Sequence, residues 1–249
     1  MKRSLILLVM FILAIGFSGC KDASASDSTE PTSSVSSSVD NSADNIQKDP
    51  EYMIDFDAWN MLMVNPTKAM PEDFSPQLAN IPSEYAGFAG AQFDKRALDE
   101  LVAMCDAAAD DGVKLTVISA YRTNDFQTYN FNRKVNNLMA QDPSLTLTQA
   151  QDKAATVVAR PGTSEHQIGL AVDFNSVEDS FRNTRAYAWL IENCTDYGFI
   201  LRYADDKQAQ TGIIPEPWHY RYVGVENAKM IEKSGLCMEE FVEKYSQNS

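Results

Sequence analysis

Only two histidines occur in this chain of 249 residues, His166 and His219, and each sits in a dense run of metal- and proton-handling side chains. The first run reads Ser164-Glu165-His166-Gln167-Ile168-Gly169-Leu170-Ala171-Val172-Asp173, the second Glu216-Pro217-Trp218-His219-Tyr220-Arg221. Imidazole and carboxylate are the ligand types that zinc takes at catalytic sites, where three protein ligands leave a fourth position open. His166, Asp173 and His219 supply such a set, and Glu216 is left to handle protons. A fold that serves both runs must bring two segments some fifty residues apart onto one surface.

Taken singly, each residue has a plainer reading. His166 fits a loop histidine, Asp173 a turn acid, His219 a core histidine bonded to a carbonyl, and Glu216 a solvated acid. Together they make one constellation. His166 and Asp173 are too far apart for one helical turn, so a loop leading into a strand has to join them, with Gly169 permitting a tight approach of the backbone. Pro217 drives Glu216 toward extended geometry, so Glu216 and His219 reach a common pocket from a turn that enters a strand.

The N-terminus reads as a processing signal. Lys2 and Arg3 precede an apolar run, Leu5 to Phe17, shorter than the ~20 residues of a membrane-spanning helix. It ends in Phe17-Ser18-Gly19-Cys20, which resembles a bacterial lipoprotein cleavage box, so residues 1–19 are expected to be removed and Cys20 lipidated. The alternative is an ordinary secretory signal with an incidental cysteine. One acyl chain holds a membrane weakly, so durable anchoring takes more than one. Between Lys21 and Pro50 stand nine serines, six acids and no aromatic residue, too little apolar surface to offset chain entropy. Residues 20–50 are therefore expected to form a lipidated, disordered tether, with an r.m.s. span of roughly 30 Å and a taut length of about 100 Å. Such a reach suits a domain working in the cell wall.

Residues 51–249 are expected to form one domain, with 51–92 an N-terminal extension and 93–249 the core. The net charge of −14 argues against nucleic acid and anionic lipid as partners. Besides Cys20 there are Cys105, Cys194 and Cys237. They read as buried free thiols, or as one disulfide with one thiol left over.

Periodicity predicts a helix within Phe93–Asp111 stopped by Gly112, a buried strand over Val113–Ser119 that delivers Arg122 at its end, and a helix over Asn124–Ala140. A helix over Leu147–Val158 takes Thr148 as its cap. A strand over Gly169–Phe174, a helix over Thr184–Cys194 and a strand over Phe199–Tyr203 follow. Asp205–Ile214 reads as a polar loop, Trp218–Val223 as a strand, and Val225–Ser234 and Met238–Tyr245 as helices. The class is α+β, a small antiparallel or mixed sheet carrying the zinc site with helices flanking it.

Ser-x-His-x-x-Gly-x-Ala-x-Asp (Ser164–Asp173), Glu-Pro-Trp-His-x-Arg (Glu216–Arg221) and Ser119-Ala120-Tyr121-Arg122 follow one another in the order found in VanY-type zinc D-Ala-D-Ala carboxypeptidases, which this chain resembles from about Phe93 to Val223. The resemblance implies the metallopeptidase fold shared with the zinc-binding domain of Hedgehog proteins. It makes His166, Asp173 and His219 ligands of one zinc and Glu216 the catalytic base. Arg122 would bind the terminal carboxylate of the substrate, with Gln127 and Ser164 assisting and Arg221 supporting the site from behind. Zinc lowers the pKa of water toward ~7, a nearby carboxylate relays the proton, and a guanidinium matches a carboxylate in two-point fashion.

The implied activity is removal of the C-terminal D-Ala from peptidoglycan stem peptides by a membrane-anchored, monomeric, extracytoplasmic enzyme. An L,D-carboxypeptidase acting on tetrapeptide stems is the alternative with the same chemistry. A catalytically silent zinc-binding wall receptor is the alternative of another class.

Overall fold

Leu101, Met104, Cys105 and Ala108 recur at three- and four-residue spacing and are all buried, which sets helix α1 at Leu98–Asp110. The structure is a computed structural model and describes residues 54–246. The expected signal segment, Cys20 and the tether lie outside the described residues. Helix α1 starts later than expected, because Phe93 belongs to strand β2 (Gln92–Asp94), paired antiparallel with β1 (Leu78–Asn80). Gly112, at φ 70°, ends the helix as expected.

The expected strand from Val113 is regular only at Val117–Ser119, β3, although Val113 and Leu115 are buried ahead of it. Thr123 caps α2 (Asn124–Gln141) by accepting from the Phe126 N–H at 3.2 Å. Helix α3 (Leu147–Ala155) opens with a capping box between Thr146 and Gln149, so the cap is Thr146 and not Thr148. Thr148 also has a glutamine three residues on, Gln151, but the box that forms is the one between Thr146 and Gln149.

Strand β3 is joined in one sheet by β4 (Ala171–Phe174), β5 (Phe199–Leu201) and β6 (His219–Tyr222). The order is β3-β4-β6-β5, every pair antiparallel. All residues of β4 and β6 are buried. Helix α4 (Arg185–Asn193) follows β4, and a short α5 (Gln208–Thr211) forms inside the segment expected to be loop. Helices α6 (Val225–Ser234) and α7 (Met238–Ser246) close the chain order. The α+β class is therefore as expected, with a small antiparallel sheet flanked by helices.

The main core joins α1, the sheet and α4 through Leu101, Met104, Val172, Phe174, Leu190 and Phe199, and it includes Val64, Ile81 and Ala91 from the segment before α1. Burying each large apolar side chain contributes about 1.5–3 kcal/mol. A second cluster seats α6 and α7 through Val223, Ile231, Met238 and Phe241, and a satellite cluster of Phe131, Val135, Ala150 and Ala154 joins α2 to α3. Among the described residues no helix is long and apolar enough to cross a membrane. Cys105, Cys194 and Cys237 are buried free thiols. Burial pushes Cys105 and Cys194 up to about 12, so they remain protonated and unreactive.

Two backbone positions place the site. Asn175, at φ 59°, is the one non-glycine residue with positive φ among the described residues. Its Oδ1 accepts from the Thr116 N–H at 2.6 Å and its Nδ2 donates to Lys114 O at 2.9 Å, which ties the end of β4 to the approach of β3. Gly169 turns the chain at φ 75° between His166 and β4, and a Cβ there would meet Leu78 Cδ2 at 3.0 Å. Gly169→Ala should therefore cost about 1–3 kcal/mol of stability in denaturant unfolding. A cost below about 0.5 kcal/mol would show that the turn accepts a side chain.

Candidate metal centre

Strand register does most of the assembly. Asp173 stands opposite His219 across β4 and β6, and Ser119 stands opposite Asp173 across β3 and β4. Directly opposed residues have Cβ atoms about 4.5–5.5 Å apart, so one row across the sheet carries both side chains. His166 arrives from the 3₁₀ turn Glu165–Ile168, which Gly169 terminates in the left-handed conformation. The imidazoles of His166 and His219 meet edge to face with centroids 4.9 Å apart.

The three residues converge on one point. His166 Nε2 lies 3.3 Å from Asp173 Oδ2, and His219 Nδ1 lies 3.1 Å from Asp173 Oδ1. One ligand atom from each falls within 4.8 Å of the others, and all three residues are buried. Two atoms held about 2.0–2.1 Å from a tetrahedral ion stand roughly 3.3 Å apart. Each histidine has its other nitrogen occupied: His166 Nδ1 donates to Ala120 O at 2.9 Å, and His219 Nε2 lies 3.4 Å from Glu165 Oε2. The nitrogens left free to take a metal are thus Nε2 of His166 and Nδ1 of His219.

Asp173 Oδ1 supplies the test of fit. It is buried, lies 3.1 Å from His219 Nδ1 and is left without a hydrogen-bond partner. Buried polar atoms are rarely left without a partner. A buried carboxylate with one orphaned oxygen, each of its two oxygens facing one ring nitrogen, is a donor set for a divalent cation.

Charges around this point are strongly coupled. Burial, with the Arg122 cation adding to it, lowers His166 to about 4, so its ring is neutral as a ligand must be. Burial works against charge on His219, yet the close carboxylates of Asp173 and Glu165 raise it to about 9, and a metal must displace that proton. Burial pushes the Glu216 carboxyl up to about 8, with His219 opposing and the Asp173 charge adding. A cation nearby would draw Glu216 back toward the ionised form.

Glu216 precedes the turn into β6, where its carbonyl accepts from the His219 N–H at 3.1 Å, and its Oε2 lies 3.7 Å from His219 Nδ1. Arg122 follows β3. Its Nη2 donates to Asp173 Oδ2 at 3.0 Å and to Ser119 Oγ at 2.7 Å, and its Nη1 donates to Gln127 Oε1 at 3.3 Å. Both residues face a cleft of about 430 Å³ that Ser164, Arg133, Glu178 and Trp218 also line.

Gln127 reaches the site through Arg122. Fully buried, it anchors itself to Ala159 O at 2.7 Å and holds Arg122, without lining the cleft. Arg221 is buried behind the site, bonded to Glu165 Oε1 at 3.0 Å and to the carbonyls of Asn60 and Leu62.

Sequence reasoning passed over Glu165, Arg202 and Glu239. Glu165 is fully buried beside His219, and burial would raise its pKa. Arg202 and Arg221 overcome that and hold it well below the usual carboxylate range. The available signals were a charge next to a ligand histidine and an arginine ending the β-rich run Phe199–Leu201.

The family model for D-alanyl-D-alanine carboxypeptidase (VanY) matches residues 90–225. A D-alanyl-D-alanine carboxypeptidase of Enterococcus faecalis is 41% identical over 184 residues, covering 74% of this chain and 66% of that protein, just under two thirds of its length. A solved vancomycin-resistance D,D-pentapeptidase VanY variant, from a VanB-type resistance cassette and in complex with Zn(II), superposes with a TM-score of 0.66 at 41% identity. That match covers 74% of this chain and 99% of that one. The LdcB LD-carboxypeptidase superposes with a TM-score of 0.64 at 35% identity, covering 74% of this chain and 86% of that one. On the family match and these likenesses, this chain belongs to the VanY family of D-alanyl-D-alanine carboxypeptidases.

Proposed function

We propose that this protein is a zinc-dependent D-alanyl-D-alanine carboxypeptidase that removes the C-terminal D-Ala from peptidoglycan stem peptides. The observation that carries the reading is the buried Asp173 carboxylate, one oxygen of it without a hydrogen bond, facing His166 Nε2 through Oδ2 and His219 Nδ1 through Oδ1, in a cleft that also holds Glu216 and Arg122. In this reading His166, Asp173 and His219 hold one zinc per chain. When bound, zinc supplies Lewis acidity that activates water and polarises the scissile carbonyl.

The other steps belong to side chains of this chain. Glu216 takes the proton of the attacking water and returns it to the leaving amine. Arg122, 18% exposed along its side chain, presents its guanidinium to the substrate's terminal carboxylate, and Gln127 and Ser119 hold its plane. Ser164 lines the cleft beside the ligand turn. The same proposal places the enzyme outside the membrane, with residues 1–19 a signal, Cys20 lipidated, 20–50 a tether, and 51–92 an extension preceding the 93–249 core. Its support there is the sequence pattern of the N-terminus.

The likeness to the LdcB LD-carboxypeptidase supports a second reading, an L,D-carboxypeptidase acting on tetrapeptide stems. Incubating the zinc-loaded protein with pentapeptide and tetrapeptide muropeptides, and identifying products by mass, separates the two. Loss of one alanine from the pentapeptide alone supports the first reading, and from the tetrapeptide alone the second. A silent wall receptor leaves both intact.

Two variants test the side-chain roles. Glu216→Gln keeps the shape but removes the proton acceptor, so zinc content and fold should persist while turnover falls by about 10²-fold or more. Near-normal turnover would remove Glu216 from the mechanism. If Arg122 grips a carboxylate, C-terminally amidated peptide should be cleaved at least about 10²-fold more slowly than the free acid, and Arg122→Lys should be impaired on the free acid. Equal cleavage of acid and amide by the unmodified enzyme would make Arg122 structural and favour an endopeptidase.

A further inference from the structure

Behind the candidate ligands lies a buried set of charges that the reaction does not use directly. Glu165 Oε1 accepts from Arg202 Nε at 2.8 Å and from Arg221 Nη1 at 3.0 Å, and all three side chains are fully buried. Arg202 also grips Glu239 of α7 with two contacts, Nη2 to Oε1 at 2.5 Å and Nη1 to Oε2 at 2.8 Å. Arg221 Nη2 donates to Asn60 O at 3.0 Å and to Leu62 O at 2.8 Å. The remaining oxygen of Glu165, Oε2, points to His219 Nε2 at 3.4 Å.

Apolar residues of similar volume usually stabilise a fold at least as well as a buried ion network, so stability alone is a weak reason for this one. Its distinctive product is a carboxylate fixed in place and aimed at one ring nitrogen. A carboxylate that accepts from the outer nitrogen of a ligand histidine sets the tautomer and orients the ring. Every other contact of Glu165 serves to keep it there. The outermost supports, Glu239, Asn60 and Leu62, lie outside residues 90–225, the span of the family match.

We propose that Glu165 is the positioning residue of the metal centre. It holds His219 with Nε2 protonated and Nδ1 turned to the cation, and the segments before and after the family-matched region act on the centre through Arg221 and Arg202. This rests on the reading of His219 as a zinc ligand, and the experiment separates the two.

Zinc dissociation constants would be measured by chelator competition for the unmodified protein, Glu165→Gln, Glu239→Gln and His219→Ala, with circular dichroism of the zinc-free forms reporting folding. Glu165→Gln should bind zinc about 10–100-fold more weakly. Glu239→Gln should shift the constant in the same direction. Unchanged zinc affinity in folded Glu165→Gln, with His219→Ala strongly impaired, would overturn the positioning role. Unchanged affinity in His219→Ala would overturn the ligand reading itself.

Should Glu165→Gln fail to fold, the unmodified protein decides. With two histidines in the chain, ¹⁵N-histidine NMR of the zinc-loaded form should show one ring protonated at Nδ1, His166, and one at Nε2, His219. The Nε2 proton should exchange slowly with solvent. Two rings of the same tautomer, or a freely exchanging Nε2 proton, would overturn the proposal.

Discussion

The pairing of Asp173 with His219 across β4 and β6 is the constraint on which the site depends. It is made by backbone hydrogen bonds in the middle of a four-stranded sheet, where both strands are buried throughout. A slip of one residue would turn Asp173 to the opposite face and scatter the donors. The third donor, His166, is then set by a short turn that Gly169 closes, and Arg122 by the end of the neighbouring β3. Four candidate site side chains thus come from the strands of one sheet and the tight turns beside them, which is how a site gains precision.

This arrangement concentrates charge where charge is expensive. Asp173, Glu165, Glu216, Arg202 and Arg221 are all buried, along with both histidines. Taking ions from water costs several kcal/mol each unless partners answer them. Glu165 and the two arginines answer one another, so that part of the set is self-contained. Asp173 and Glu216 are less fully answered. One Asp173 oxygen has no hydrogen bond, and burial pushes Glu216 up to about 8 against the opposing His219. The donor atoms of the two imidazoles and Asp173 meet at one point, which is where a divalent cation would sit in place of the His219 proton.

Much of this was legible in the residues. The candidate ligands, Glu216 and Arg122 stand out because imidazoles are scarce and cluster with carboxylates, and the helices over 124–141, 225–234 and 238–246 follow from apolar periodicity. Gly169 was recognisable as the tight approach between the first two candidate ligands. What stayed hidden depends on contacts distant in sequence. Periodicity cannot tell a buried Glu165 from a surface acid, since its partners Arg202 and Arg221 stand 37 and 56 residues away. Gln127 gave no sign that Arg122 and Ala159 would consume its hydrogen bonds. Residues 113–116 look like strand, but β3 begins only where β4 is there to pair with it. The choice of Thr146 over Thr148 was not readable from the capping-box pattern, because each has a glutamine three residues on, Gln149 and Gln151.

The most direct test of the central claim is anomalous diffraction at the zinc edge from crystals of the zinc-loaded protein. The account predicts one peak per chain, ligated by His166 Nε2, an oxygen of Asp173 and His219 Nδ1, with a fourth side open to the cleft. No peak at that point, or an ion held through His166 Nδ1 or His219 Nε2, would contradict it.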